Sequence, residues 1–300
     1  MRAGTVFLLG ILAGFTGVAA ALDERDLQPP GDFASVDTHR LYYRCIGHGA
    51  PTVVFDAGIG GAAVEWTRIQ DALAGDTRVC TYDRAGYGWS DPGPAPRSTA
   101  QAVAELRRLL RAIDARPPHV LVGHSFGGFN ARYFAAQHPD EVAALVLLDS
   151  SHPGMRMPRG GTGGAAGNPL VALPDEPAGP APEVAIAQYL NSRRKAVFTQ
   201  MHEMHEFDRS AEQVERAGPL PQVPLFVVAR DATRGHHERR HEARWQQLQR
   251  DLATLAPSGV LRVARGSGHE IHRDRPDLVI EVVREAVSRA RAARRTRPPS

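Results

Sequence analysis

Val120-Leu121-Val122-Gly123-His124-Ser125-Phe126-Gly127-Gly128 is the stretch that decides how this chain is read. A short apolar run ends in a Gly-x-Ser-x-Gly pentapeptide, and a helix-compatible stretch follows. A chain that swings from strand to helix in so few residues leaves its apical serine in a strained backbone state. It also needs neighbours without a Cβ, so that the two arms can approach. Gly123 and Gly127 supply that clearance. The turn lifts the Ser125 hydroxyl above the end of a sheet. The N-terminal N–H groups of the following helix aim at the same point and favour developing negative charge. A glycine-rich turn can hold a serine by chance, but a strand before and a helix after are the context in which this motif marks a nucleophile. The Phe126 amide beside it is then an oxyanion donor.

Outward from this turn, short apolar and β-branched runs recur at 40–46, 52–55, 78–82, 143–148, 225–229 and 260–263, each bounded by turn residues. They read as strands, most of them buried in a parallel sheet. Helical spacing separates them: Val103, Leu106, Leu110 and Ile113; Trp245, Leu248 and Leu252; Val279, Val282, Val283 and Ala286, with Pro276 near the start of the last. Ser98 and Gln101 have the spacing of a capping box. Strands alternating with helices predict an α/β layered sheet with right-handed crossovers. The stretch 152–221 breaks the alternation. Its first half is rich in Gly and Pro, and its second, 183–216, is polar and helix-prone; it reads as a cap over the site. Residues 23–31 read as a polar linker, and the basic tail from 289 to 300 as frayed.

With 300 residues, 42% of them hydrophobic, the chain can bury one full-sized core. Its formal net charge is +3, with both signs interspersed and no basic stripe, so nucleic acid is not an expected partner. Arg2, the apolar run from Val6 to Leu22 and the small residues Val18-Ala19-Ala20-Ala21 fit a secretory signal over 1–22, with an uncleaved N-terminal anchor as the alternative. The expectation is an exported protein, periplasmic or secreted, without stable membrane association once the leader is removed. Two cysteines, Cys45 and Cys80, would then meet an oxidising compartment where they could bond; otherwise they are buried thiols on strands.

Three more segments join the Ser125 turn in resembling the α/β-hydrolase superfamily, in its serine esterase-like branch. Asp56-Ala57-Gly58-Ile59-Gly60-Gly61 stands where that family has its oxyanion loop, Tyr82-Asp83-Arg84-Ala85-Gly86-Tyr87-Gly88-Trp89-Ser90-Asp91 resembles its Asp-Arg-x-Gly-x-Gly-x-Ser turn, and Gly266-Ser267-Gly268-His269 resembles its histidine loop. The likeness covers about residues 40–290. It implies a mostly parallel eight-stranded sheet flanked by helices, with the cap inserted after strand 6, and one hydrolase domain over 23–300.

A serine hydroxyl needs a base within hydrogen-bond reach. Of thirteen histidines, His269 is preferred: it follows the last strand in a glycine-rich loop, after the nucleophile in chain order. His272 is its nearest rival, otherwise a surface histidine. His124 belongs to the turn itself. His202, His205, His236, His237 and His241 read as solvated helix faces; His237 and His241 are four apart but lack a third metal ligand. Two carboxylates compete to orient the imidazole. Asp231 lies just past the 225–229 strand, although Arg230 replaces the family's usual glycine and the expected acid position falls near Thr233. Asp149 ends the 143–148 strand, a position used by some relatives. The resemblance makes Ile59 the second oxyanion donor beside Phe126. It reads Asp83 and Arg84 as a structural charge pair, and it places the strands of Cys45 and Cys80 side by side, so that a disulfide is feasible.

The function implied is hydrolysis of a carboxylic ester of a small molecule through an acyl-enzyme, with no metal or organic cofactor. A serine at this position argues against the branches that use a carboxylate nucleophile, the haloalkane dehalogenases and soluble epoxide hydrolases. An acyltransferase, peptidase, lactonase or cofactor-free haloperoxidase would use the same triad, and the irregular acid position leaves room for a non-catalytic binding protein.

Overall fold

The computed structural model describes residues 27–155, 181–234 and 239–296. Eight strands form one sheet: β1 (Asp32–Val36), β2 (His39–Ile46), β3 (Thr52–Asp56), β4 (Val79–Tyr82), β5 (His119–His124), β6 (Val142–Leu148), β7 (Leu225–Arg230) and β8 (Val260–Ala264). Their order is β1-β2-β4-β3-β5-β6-β7-β8. β2 runs antiparallel to both β1 and β4, and every pairing from β4 through β8 is parallel. The fold is that of an α/β hydrolase.

The described helices are α1 (Thr67–Leu73), α2 (Thr99–Ala112), α3 (Phe126–Gln137), α4 (Pro182–Asn191), α5 (Arg194–His205), α6 (Phe207–Arg216), α7 (Arg239–Ala253), α8 (Ile271–Asp274) and α9 (Pro276–Thr296). Side chains alternate across a strand, so each central strand feeds two cores. Val53, Phe55, Val120, Val122, Val146 and Leu148 point to one face, where Val279, Val282, Val283 and Ala286 of α9 cover them. Val54, Leu121, Leu145 and Leu147 point to the other, under Val103, Leu106 and Leu110 of α2 and Phe134 of α3. Burial on both faces explains why these strands read as continuous apolar runs.

Several expectations change. β1 was not anticipated; it begins one residue after the stretch read as a linker. Ser98 occupies the N-cap of α2 but makes no side-chain cap, and Gln101 instead donates to Glu105 at 2.8 Å. The cap region closes the helix end. The Thr99 N–H donates to Ser210 Oγ (3.0 Å) and the Ala100 N–H to Gln213 Oε1 (2.9 Å), both on α6. The tail is helical to Thr296, and Arg291 in it donates to the Ala50 carbonyl at 2.9 Å. Within the 152–221 excursion, α4, α5 and α6 occupy the helix-prone half; the looser stretch 156–180, like the leader 1–22, lies outside the described residues. Among the described residues no helix is long and apolar enough to cross a membrane. Cys45 and Cys80 face each other in register on β2 and β4 and form a disulfide.

Candidate active site

The turn after β5 has the strain its sequence predicts. Ser125 sits at φ 51°, ψ −118°. A Cβ on Gly123 would stand 2.4 Å from the Gly127 carbonyl oxygen, and one on Gly127 would stand 2.2 Å from that of Asp56. No other side chain fits either contact. The turn is held from β6: the Ser125 N–H donates to the Leu148 carbonyl (3.1 Å), and the Ser151 N–H donates to the Ser125 carbonyl (2.9 Å). Ser125 is 1% exposed, and its Oγ has no hydrogen-bond partner among the described residues.

His269 arrives from the loop after β8. Its Nδ1 lies 2.6 Å from Asp149 Oδ2. Its Nε2 is buried and, like Ser125 Oγ, has no described partner. The ring packs 4.7 Å from that of His124, the residue preceding Ser125, and His124 Nε2 meets the His269 carbonyl at 3.0 Å. An imidazole that donates through Nδ1 keeps Nε2 as acceptor. Burial alone would lower the His269 pKa, but the hydrogen bond and charge of Asp149 outweigh it, and the net shift is upward from 6.5.

Asp149, just past the end of β6, is the carboxylate brought to the imidazole. It is fully buried, at φ 39°. Besides His269 it accepts from the Arg230 N–H (3.0 Å), Arg230 Nη1 (3.2 Å) and Trp245 Nε1 (2.7 Å). Burial would raise its pKa, yet the bonds and charges of His269 and Arg230 leave it lowered. The Asp149 N–H donates to the Val228 carbonyl at 2.7 Å, so the strand leaving for the cap and the strand returning from it are tied at this residue. Asp231 is not brought to the imidazole. Its carboxylate accepts from the Thr233 N–H (2.9 Å) and the Gly266 N–H (2.9 Å), and these bonds pull its pKa down to about 2. It braces the loop that carries His269.

Three further sequence readings are corrected. His272 is not a surface residue: it is 5% exposed, its ring lies 4.4 Å from that of Trp66, and burial drives its pKa well below the usual imidazole value. Asp83 and Arg84 do not pair with each other. Asp83 accepts from the Ala63 and Trp89 N–H groups (2.7 and 2.9 Å), and burial pushes its carboxyl up to about 6. Arg84 is bound to Asp56 (2.8 Å) and to Glu203 of α5 (2.9 Å). The third is Arg230, which read as a departure from a pattern and proves to be a partner of Asp149. Trp245 read as an apolar helix marker; the signal that could have flagged it is chemical, since a buried indole N–H needs an acceptor.

Phe126 opens α3 with its ring buried, and Ile59 packs against it together with Phe129 and Phe207. A Cβ on Gly58 would lie 3.1 Å from the Ser125 Cβ, so the 57–60 loop runs against Ser125. His202, His205 and His241 are exposed; 236 and 237 fall outside the described residues. His124, His269 and Glu270 bring metal-ligand atoms within 4.8 Å of one another, but His269 Nδ1 is engaged by Asp149 and His124 Nε2 by a carbonyl. A metal held there would have to use His269 Nε2, the ring nitrogen left without a described partner.

Known proteins agree with this architecture. The sequence model of the family described as alpha/beta hydrolase fold matches residues 51–229. A Bacillus subtilis (strain 168) protein, YqjL, is 28% identical over 234 residues, covering 78% of this chain and 82% of that protein. An AB hydrolase superfamily protein of Gibberella zeae is 26% identical, over 80% of this chain and 87% of that one. Other relatives are matched over shorter stretches, such as the putative carbamate hydrolase RutD of Azorhizobium caulinodans, 35% identical over 36% of this chain and 40% of its own length. Among solved structures, the enol-lactonase from Burkholderia xenovorans LB400 superposes with a TM-score of 0.67 at 22% identity, over 86% of this chain and all of that one. A thermophilic esterase from Thermogutta terrifontis superposes with a TM-score of 0.65 at 20% identity, over 87% and 98%. The chain belongs to the alpha/beta hydrolase fold family.

Proposed function

We propose that this chain is an exported serine hydrolase that cleaves carboxylic esters of small molecules through an acyl-enzyme, with Ser125 as nucleophile, His269 as base and Asp149 as the orienting acid. One observation carries the reading: a buried Asp149–His269 bond of 2.6 Å fixes the imidazole tautomer and leaves Nε2 unbound, while the Ser125 hydroxyl at the neighbouring turn is also buried and unbound. In this reading Ser125 Oγ attacks the ester carbonyl and its proton passes to His269 Nε2. The carbonyl π pair moves to oxygen, where the Phe126 and Ile59 amides hold the charge. Collapse expels the alcohol, which takes the proton from Nε2. Water then repeats the sequence on the acyl-enzyme, releasing the acid and restoring the hydroxyl. No step requires a metal or organic cofactor.

The superposing structures include an enol-lactonase and an esterase, both consistent with attack on an acyl carbon. A structure described as the epoxide hydrolase CorEH superposes as well, with a TM-score of 0.67, but a serine nucleophile suits acyl transfer better than epoxide opening. A buried imidazole held in one tautomer beside an unbound serine hydroxyl supports turnover over binding alone. The leader-like sequence over 1–22 and the Cys45–Cys80 disulfide both favour an oxidising compartment. A fluorophosphonate probe should label the mature protein at Ser125 and not label Ser125→Ala. A panel of p-nitrophenyl esters of rising chain length should be turned over with the same dependence. An unlabelled wild-type protein that leaves every ester intact would sink the proposal.

A further inference from the structure

The loop that brings Ile59 to Ser125 closes on itself through one bond, from the Gly61 N–H to the Gly58 carbonyl (3.2 Å), and is otherwise held from outside. Arg84 Nη1 donates to the Ala57 carbonyl (2.5 Å) and Arg84 Nη2 to the Gly58 carbonyl (2.9 Å). The Gly60 carbonyl accepts from Asn191 Nδ2 at 2.6 Å. The Arg84 guanidinium is itself gripped from the cap. Glu203 of α5, 1% exposed, accepts from Arg84 Nε and Nη2 (2.9 Å each) and from the Tyr87 hydroxyl (2.9 Å). Asn191 ends α4. On its other side the guanidinium meets Asp56, which also accepts from Tyr82 and Asn130. The Ile59 N–H is left with no described partner.

The Gly58 carbonyl and the Ile59 N–H belong to one peptide unit, and a trans peptide sets the two on opposite sides of its plane. A guanidinium that fixes the carbonyl therefore fixes the direction of the N–H. It also polarises that peptide and strengthens the N–H as a donor. The same guanidinium lies 5.6 Å from the ring centre of Phe126, whose amide is the other oxyanion donor. We infer that Arg84, gripped from the cap by Glu203, is a positioning residue for the Ile59 oxyanion donor, so that the cap helices complete the oxyanion hole as well as cover it. Neither residue touches substrate. The role presupposes the acyl-enzyme reading above.

Glu203→Gln keeps the shape of the grip and removes its charge. The variant is compared with wild type by kcat and KM on a p-nitrophenyl ester, per site titrated with fluorophosphonate. A second readout is inhibition by phenylboronic acid, whose tetrahedral serine adduct places an oxygen in the hole. Displacing one oxyanion donor should lower kcat about tenfold or more, leave KM within about twofold, and weaken the boronic acid in proportion to kcat. Asn191→Ala, which cuts one bond to Gly60, should lose less in the same direction. A merely structural role would reduce the number of titrated sites and leave the per-site constants alone, and that result overturns the inference. If Glu203→Gln does not fold, Asn191→Ala decides: wild-type kcat and boronic acid affinity refute the role. An inactive, unlabelled wild type removes the acyl-enzyme reading and this role together, whereas an active wild type with indifferent variants removes this role alone.

Discussion

Asp149 keeps its charge in a fully buried place because four hydrogen bonds converge on it, and two of them come from Arg230. Asn at this position cannot accept the Nδ1 proton through its amide nitrogen, so the imidazole would adopt the wrong tautomer. Asp149→Asn should cut kcat by about 10,000-fold with the fold intact. Asp231→Asn should change kcat little and act on stability, since its partners are loop groups; steady-state kinetics on the two variants separate the candidate acids. The pH profile follows from the raised His269 pKa. A protonated imidazole cannot take a proton, so kcat/KM should fall as pH drops through a value above 6.5. A flat profile over roughly pH 5 to 9 with chemistry limiting would count against His269 as base. The Ser125 turn and the His269 loop of the candidate site were legible because glycine clearance and a loop after the last strand are local signals. The carboxylate that meets the imidazole was not, because Asp149 and Asp231 both follow strands closely in the sequence. What separates them is Trp245, 96 residues from Asp149, and an Arg230 that breaks the family's pattern.

At the level of elements, the strands of the sheet centre announced themselves, since burial on both faces makes a strand apolar throughout. β1 did not: Asp32, Phe33 and Ser35 on this edge strand are exposed, and five residues are too few to show a period. The helix starts are where local chemistry misled. Ser98 has the spacing of a capping residue, yet the donors of α2 are satisfied by α6, more than a hundred residues away. This joint should be measurable. Ser210 is fully buried, and Ser210→Ala would leave the Thr99 N–H without its acceptor, at a cost of about 1–3 kcal/mol in urea unfolding. An unchanged midpoint would mean that the two helices do not depend on this contact.

For the whole molecule, the disulfide joins an antiparallel pair at one side of the sheet across a sequence separation of 35 residues. By loop-closure entropy such a link stabilises by about 3–4 kcal/mol. Replacing both cysteines with serine should lower unfolding stability by up to that amount. Intact-mass comparison of the protein with and without reductant should show a two-hydrogen difference. The knot at Asp149, where departing and returning chain are tied, has a consequence for how such a protein diversifies. A foreign roof could be grafted between those two roots with acid and imidazole undisturbed. The transplant would still run slowly unless it brought its own carboxylate down onto Arg84, because what this roof shelters it also helps to aim.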